Sequence, residues 1–271
     1  MTSAEMEALI DLASRAGAAI MSHVADPAVE LKRDGSPVTA ADREGEAIIL
    51  EGLERILPGI PVVSEEAVSD GRTPECNDRF ILVDALDGTK EMINHSGEFT
   101  VNIGLIENYV PVAGVVYAPA LETLWAGTRN GAEMMTLTPG ARTTRAHNRR
   151  PIMSRRAAAG EMVVLASLRH RSPDTDAFVA RITEGRAQVV GSSIKFCRIA
   201  EGLADIYPRL SPTMQWDTAA GDAVLRAAGG TVLTAKGEPF TYGPRDGVFR
   251  NGYFVAGGDP GYLKELLVHG P

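Results

Sequence analysis

The amino-acid sequence predicts a mixed α and β protein, with helices against a mostly antiparallel sheet in its first half and a layered α/β arrangement in its second. Three observations carry this. Apolar residues recur at helical spacing up to Leu57. Short apolar runs of strand character follow over 61–137. Beyond residue 162, strand-like runs alternate with helical patterns.

Met6, Leu9, Ile10, Ala13, Ala16, Gly17, Ile20, Met21 and Val24 share one face of an amphipathic helix of about six turns. Residues 32–37 have turn chemistry. A second helix starts at Thr39, a capping residue with Asp42 three positions on. Its apolar face is Ala41, Gly45, Ile48, Ile49, Leu53, Ile56 and Leu57, and it stops before Pro58-Gly59. Residues 61–64 and 80–84 read as strands that end in acids. Residues 99–107 and 110–117 read as a hairpin around Asn108, with 121–126 and 133–137 extending the same sheet. The polar stretch 139–160 holds Arg142, Arg145, Arg149, Arg150, Arg155 and Arg156. It reads as a link between a half spanning 1–150 and a half spanning 151–271, either solvated or facing a substrate. Strands are then expected at 162–167, 188–191, 206–207, 232–233 and 253–255. Helices are expected at 175–182, from Ser193 to near Leu203, along Trp216, Ala219, Ala220, Ala223, Val224 and Ala227, and at 263–267.

Composition narrows the function. The chain has 271 residues, enough for one large domain or two small ones, and needs no metal or disulfide staple to bury a core. With 27 Lys+Arg against 35 Asp+Glu the net charge is −8, which argues against nucleic-acid binding. No stretch approaches the ~20 apolar residues of a membrane span, so no integral membrane segment is expected. The first residues lack a basic and an apolar region of secretory type, and the only cysteines are Cys76 and Cys197. A cytoplasmic location with free thiols is the expectation, with loose attachment to the inner membrane face left open. The oligomeric state is not fixed by the sequence, and a monomer is slightly favoured.

Phosphate-binding glycine loops of the P-loop and dinucleotide type, zinc-protease and serine-hydrolase motifs are absent. What stands out is acid at strand ends. Asp84-Ala85-Leu86-Asp87-Gly88-Thr89 follows an apolar run, and its two carboxylates, three apart, can point to one spot. Ser64-Glu65-Glu66 ends another run, and Asp217 opens a helix after Trp216. Oxygen-only ligands suit Mg²⁺ or Mn²⁺ rather than zinc. Taken singly, Asp84 and Asp87 read equally as turn formers, Asp217 as a cap and Glu65 as a solvated acid.

Together these segments resemble a known set. The runs 35–42, 63–66, 84–89 and 216–221 resemble, in order and spacing, the motifs of the inositol monophosphatase superfamily of Mg²⁺-dependent, Li⁺-sensitive phosphomonoesterases. Residues 89–91, 97–103, 114–119, 191–197, 204–209 and 212–213 resemble its bacterial 3′(2′),5′-bisphosphate nucleotidase branch, the CysQ type. One departure is Ala85, where that family usually has proline.

The resemblance implies a layered α-β-α-β-α sandwich. It implies that Glu65, Asp84 and the Leu86 carbonyl hold one Mg²⁺, and that Asp84, Asp87 and Asp217 hold a second, with a weaker third near Glu65. Asp42 would orient Thr89, and Thr89 with Glu65 would position and activate a water. Substrate contacts would come from Glu65, Asp87, Gly88, Thr89, Lys90, Gly191, Ser192, Ser193, Lys195, Arg209 and Asp217. Arg209 stands where inositol-type relatives tend to carry an acid; it suits a second phosphate, or pairs with Glu201 or Asp205. The activity implied is removal of the 3′-phosphate from adenosine 3′,5′-bisphosphate, or its sulfated analogue, in sulfur metabolism. An inositol- or fructose-type phosphatase is the alternative, and a non-catalytic phosphate-binding regulator a remote one.

Overall fold

The computed structural model of the chain describes residues 1–32, 35–157, 162–167, 172–182, 185–245 and 247–269. Helices α1 (Ser3–His23) and α2 (Ala40–Ile56) are separated by a short antiparallel hairpin, β1 (Val29–Leu31) and β2 (Pro37–Thr39). Each helix starts with a reciprocal capping box, Thr2 with Glu5 and Thr39 with Asp42. Of the turn expected at 32–37, positions 33 and 34 lie outside the described residues; Lys32 N–H closes it onto the Ser36 carbonyl at 2.8 Å.

The next elements are β3 (Val62–Ser64), α3 (Glu65–Ser69), β4 (Arg79–Asp87), α4 (Thr89–Ile93), β5 (Thr100–Glu107), β6 (Val110–Ala118), β7 (Thr123–Thr128), β8 (Gly131–Thr136) and β9 (His147–Ile152). Strands β3 to β9 form one seven-stranded sheet in sequence order. Only the β3–β4 pair is parallel. Asn108 and Tyr109, both at positive φ, make the β5–β6 turn. Strand β9 corrects the reading of 139–160 as a connector. Five of its six residues are exposed and polar or proline, so no apolar alternation betrays it. It is an edge strand, where proline and charge are tolerated, and Arg149 ties it to Glu133 and Glu7.

The chain continues with β10 (Met162–Ala166), α5 (Pro173–Arg181), β11 (Gly185–Val189), α6 (Ile194–Ala200), β12 (Ile206–Arg209), α7 (Ala219–Ala227), β13 (Thr231–Thr234), β14 (Phe254–Gly257) and α8 (Pro260–His269). The second sheet runs β11-β10-β12-β14-β13, parallel among the first three and antiparallel among the rest. Strand β11 lies earlier than the expected 188–191 and frees Gly191 for a turn.

Three apolar clusters define the layers. Leu9 and Ile10 of α1 and Ile49 and Leu53 of α2 pack on Ile81, Val83 and Tyr117 of the first sheet. The opposite face of that sheet, with Phe80, Leu82 and Trp125, meets Phe196 of α6 and Val224 of α7, which also pack on Tyr207 and Phe254 of the second sheet. Phe178 of α5 and Leu263 of α8 cover the outer face of the second sheet at Val164 and Val255. The result is the expected α-β-α-β-α sandwich. Gly104, Gly114 and Gly127, paired across β5, β6 and β7, let α7 lie directly on the backbone. A Cβ at Gly127 would sit 2.7 Å from Val224 Cα, and one at Gly114 would collide with the Ala220 carbonyl. This close seat brings the start of α7, and Asp217 before it, to the end of β4. Among the described residues no helix is long and apolar enough to cross a membrane.

Candidate active site

In a regular strand, residues three apart point to opposite faces. Asp84 and Asp87 escape this through a bulge. Asp84 pairs with Asn102 and Asp87 with Thr100, so three steps on β4 face two on β5. Ala85 and Leu86 both turn into the core under α1 and α2, and both aspartates turn to the α7 side. Sheet pairing therefore supplies the rigidity that proline would give at position 85. Gly88, at φ +98°, then reverses the chain into α4; a Cβ there would press on Glu98 O and Phe99 at 3.3 Å.

Carboxylate oxygens of Glu65, Asp84 and Asp217 lie within 4.8 Å of one another. Asp87 stands beside them. Burial pushes its carboxyl up to about 6, with Lys195 and the Ser193 hydroxyl pulling the other way. Burial and the neighbouring carboxylates push Asp217 up to about 7 and Asp84 well up. Such acids resist ionising together without a counter-cation, and an all-oxygen set of this kind suits a hard divalent ion. The residues present fit a metal.

Asp42 Oδ2 accepts the Thr39 N–H and hydroxyl at 2.7 Å each, and its Oδ1 accepts the Thr89 hydroxyl at 2.9 Å. The capping box thus doubles as the support for Thr89. Asp84 Oδ1 accepts the Leu86 N–H at 2.9 Å, and Asp217 Oδ2 accepts the Thr213 hydroxyl and Met214 N–H at 2.6 and 2.9 Å. Asp84 and Asp217 are thus each fixed from within their own segment.

The acids open into a cleft of about 380 Å³ between the two sheets. Leu86, Gly88, Thr89, Lys90, Gly191, Ser192, Lys195 and Arg209 line it with Glu65, Asp84, Asp87 and Asp217. Ser193, expected at the substrate, is buried behind the surface. Its hydroxyl meets Asp217 O at 2.6 Å and Asp87 Oδ2 at 3.2 Å and accepts from Asn102 Nδ2 at 3.0 Å, so it braces the acids. Lys195 Nζ donates to the Ser192 and Val190 carbonyls at 2.5 and 3.2 Å, and burial draws its pKa down to about 8. Arg209 holds the Pro212 carbonyl at 2.9 Å. It does not pair with Asp205 or Glu201: Asp205 takes a two-pronged bond from Arg155, and Glu201 meets Trp125, Arg150 and Arg198.

Sequence reasoning missed three supports. Lys32 Nζ lies 2.6 Å from both Glu65 and Glu66, from a position just before the 35–42 motif. Glu46 and Asn102 are buried, and a polar residue on the inward face of its element was the available signal.

Residues 2–269 match the profile of the Inositol monophosphatase family. The 3′(2′),5′-bisphosphate nucleotidase CysQ of Salmonella typhimurium is 41% identical over 254 residues, 92% of this chain and 98% of its own. The protein of the same name from Escherichia coli K12 is 38% identical over 255 residues, 93% and 99% of the two chains. Among solved structures, CysQ from Bacteroides thetaiotaomicron superposes with a TM-score of 0.77 at 37% identity, covering 94% of this chain and 97% of that one. An inositol monophosphatase from Anabaena shares the fold, with a TM-score of 0.73 at 24% identity over 97% and 92% of the chains.

Proposed function

The chain belongs to the inositol monophosphatase family, a metal-dependent phosphatase family, and from that premise we propose that its cleft removes the 3′-phosphate from adenosine 3′,5′-bisphosphate, giving AMP and phosphate. The observation that carries this is one cleft lined both by a carboxylate cluster and by the cations Lys195 and Arg209. The nucleotidases of the CysQ type, similar over nearly the whole chain, support the same substrate. The setting is sulfur metabolism in the cytoplasm, where the bisphosphate is left behind once activated sulfate has been transferred from its nucleotide carrier, and the sulfated analogue is a second candidate substrate.

Two Mg²⁺ ions are the proposed cofactors, with Mn²⁺ as a substitute and a weaker third ion beside Glu65. Glu65, Asp84 and the Leu86 carbonyl would hold one; Asp84, Asp87 and Asp217 the other. When bound, such ions neutralise charge on the phosphoryl oxygens and make a water more acidic. The chain's own part is orientation. The Thr89 hydroxyl donates a hydrogen bond to Asp42, which leaves its oxygen lone pairs to accept a hydrogen bond from the attacking water and orient it. Glu65 is the acceptor that takes the water's proton, and Lys32, 2.6 Å from it, holds its carboxylate in place. Backbone N–H groups at Gly88 and Thr89 face the phosphate. Gly191, Ser192 and Lys90 form the walls, and Arg209 and Lys195 meet the second phosphate.

Phosphate release from adenosine 3′,5′-bisphosphate, inositol 1-phosphate and fructose 1,6-bisphosphate, at equal concentration with Mg²⁺, tests this. The nucleotide should be turned over fastest. A preference for inositol 1-phosphate would overturn the assignment.

A further inference from the structure

Glu46 is 4% exposed and does not line the cleft. Its Oε2 accepts the Glu66 N–H at 3.0 Å and its Oε1 the Ala67 N–H at 3.1 Å. These are first-turn donors of α3, a five-residue helix whose N-cap, Ser64, forms no side-chain cap bond to it. A helix this short has little stability of its own, and its first N–H groups need outside acceptors. The Glu46 carboxylate supplies two of them.

Helix α3 begins with Glu65, and Glu46 sits four residues after Asp42 on the same face of α2. Asp42 holds Thr89 from that face, and Glu46 holds the turn that carries Glu65. One rigid helix therefore sets the spacing of the two groups assigned to the water. We propose that Glu46 is a positioning residue, fixing the start of α3 so that the Glu65 carboxylate meets Asp84 and Asp217 around a divalent cation. The proposal rests on reading Glu65 as a metal ligand.

Glu46→Gln tests it, because the amide keeps the size but sets an NH₂ against a backbone N–H. Direct Mn²⁺ binding to the metal-free protein is the readout, with thermal stability recorded alongside. Loss of a group that orients a ligand typically weakens metal binding by about tenfold. We expect that loss in Glu46→Gln, and a smaller one in Glu46→Asp, which serves if the amide variant fails to fold. In the double variant with Glu65→Gln, binding should be no weaker than in Glu65→Gln alone, since both act through one carboxylate. Mn²⁺ affinity within about twofold of wild type in the Glu46 variants, or losses that multiply in the double variant, would overturn the proposal. A lowered melting temperature with unchanged affinity would make Glu46 a stability residue and overturn it too. If Glu65→Gln itself binds Mn²⁺ like wild type, the ligand reading fails first, and that result stands apart from any effect of Glu46.

Discussion

The Thr89 hydroxyl donates to Asp42 Oδ1 at 2.9 Å, although these residues are 47 positions apart in the chain. The alternative acceptor, Leu86 O, is farther at 3.4 Å, so the proton is committed to Asp42. The direction of this bond makes Thr89 an acceptor toward the cleft.

Thr89→Ala should therefore lower kcat by about a hundredfold or more while moving KM little, because the contact to the water matters mainly in the transition state. Thr89→Ser, which keeps the hydroxyl, should retain most of the rate. Steady-state kinetics on both variants checks this; an unchanged kcat in the alanine variant would leave Thr89 as a turn residue.

Asp84 stands at the centre of the acid cluster, at the bulge that turns it and Asp87 to one side. Asp84→Asn removes a charge without removing volume. Turnover at saturating Mg²⁺ should fall below about a tenth of wild type, several kcal/mol of transition-state stabilisation being at stake. A variant that keeps more than that activity would remove Asp84 from the proposed bridging role.

How much of this was legible in the sequence depends on the range of the contact. The Thr39–Asp42 capping box was readable because both ends lie within one turn. The strand-end acids were readable as a pattern that can converge on one spot, but the means was not: strict alternation would set Asp84 and Asp87 apart, and only the register of β5 reveals the extra residue that brings them together. Strand β9 escaped because an exposed polar edge strand has no apolar period. Lys32, Glu46 and Asn102 escaped for another reason. Each serves a partner 20 or more positions away, reached through tertiary packing, and no local spacing encodes that.

The acid cluster also predicts how pH and metal act together. Burial raises the folded-state pKa of Asp84, of Asp87 to about 6 and of Asp217 to about 7, from an ordinary 3.8. The folded, metal-free protein therefore holds protons that the unfolded chain has released. The stability these groups contribute is complete below about pH 4 and is lost as pH rises through 6 and 7. A divalent cation replaces those protons. The rise in melting temperature on adding Mg²⁺ to metal-free protein should accordingly be larger at pH 8 than at pH 5. Thermal melts at the two pH values measure it, and a gain that is equal or smaller at pH 8 would show that the cation binds elsewhere.

Arg209 offers the sharpest test of substrate class. It lies on β12, lines the cleft and is not tied up by Asp205 or Glu201. A guanidinium–phosphate pair is charge-assisted and often two-pronged, so it outweighs a neutral hydrogen bond. Only a substrate with a second phosphate can use it. Arg209→Ala should lower kcat/KM for adenosine 3′,5′-bisphosphate about tenfold or more, ~1.4 kcal/mol, and leave turnover of a monophosphate such as inositol 1-phosphate nearly unchanged. The structure also supplies the competing route. Arg209 holds the Pro212 carbonyl, and the adjoining Thr213 donates to Asp217, so loss of the guanidinium can loosen an acid of the cluster. That route would harm both substrates equally and weaken Mn²⁺ binding. Measuring both substrates and the metal separates the two: a loss confined to the bisphosphate assigns Arg209 to recognition, and an equal loss with weaker metal binding assigns it to the support of Asp217.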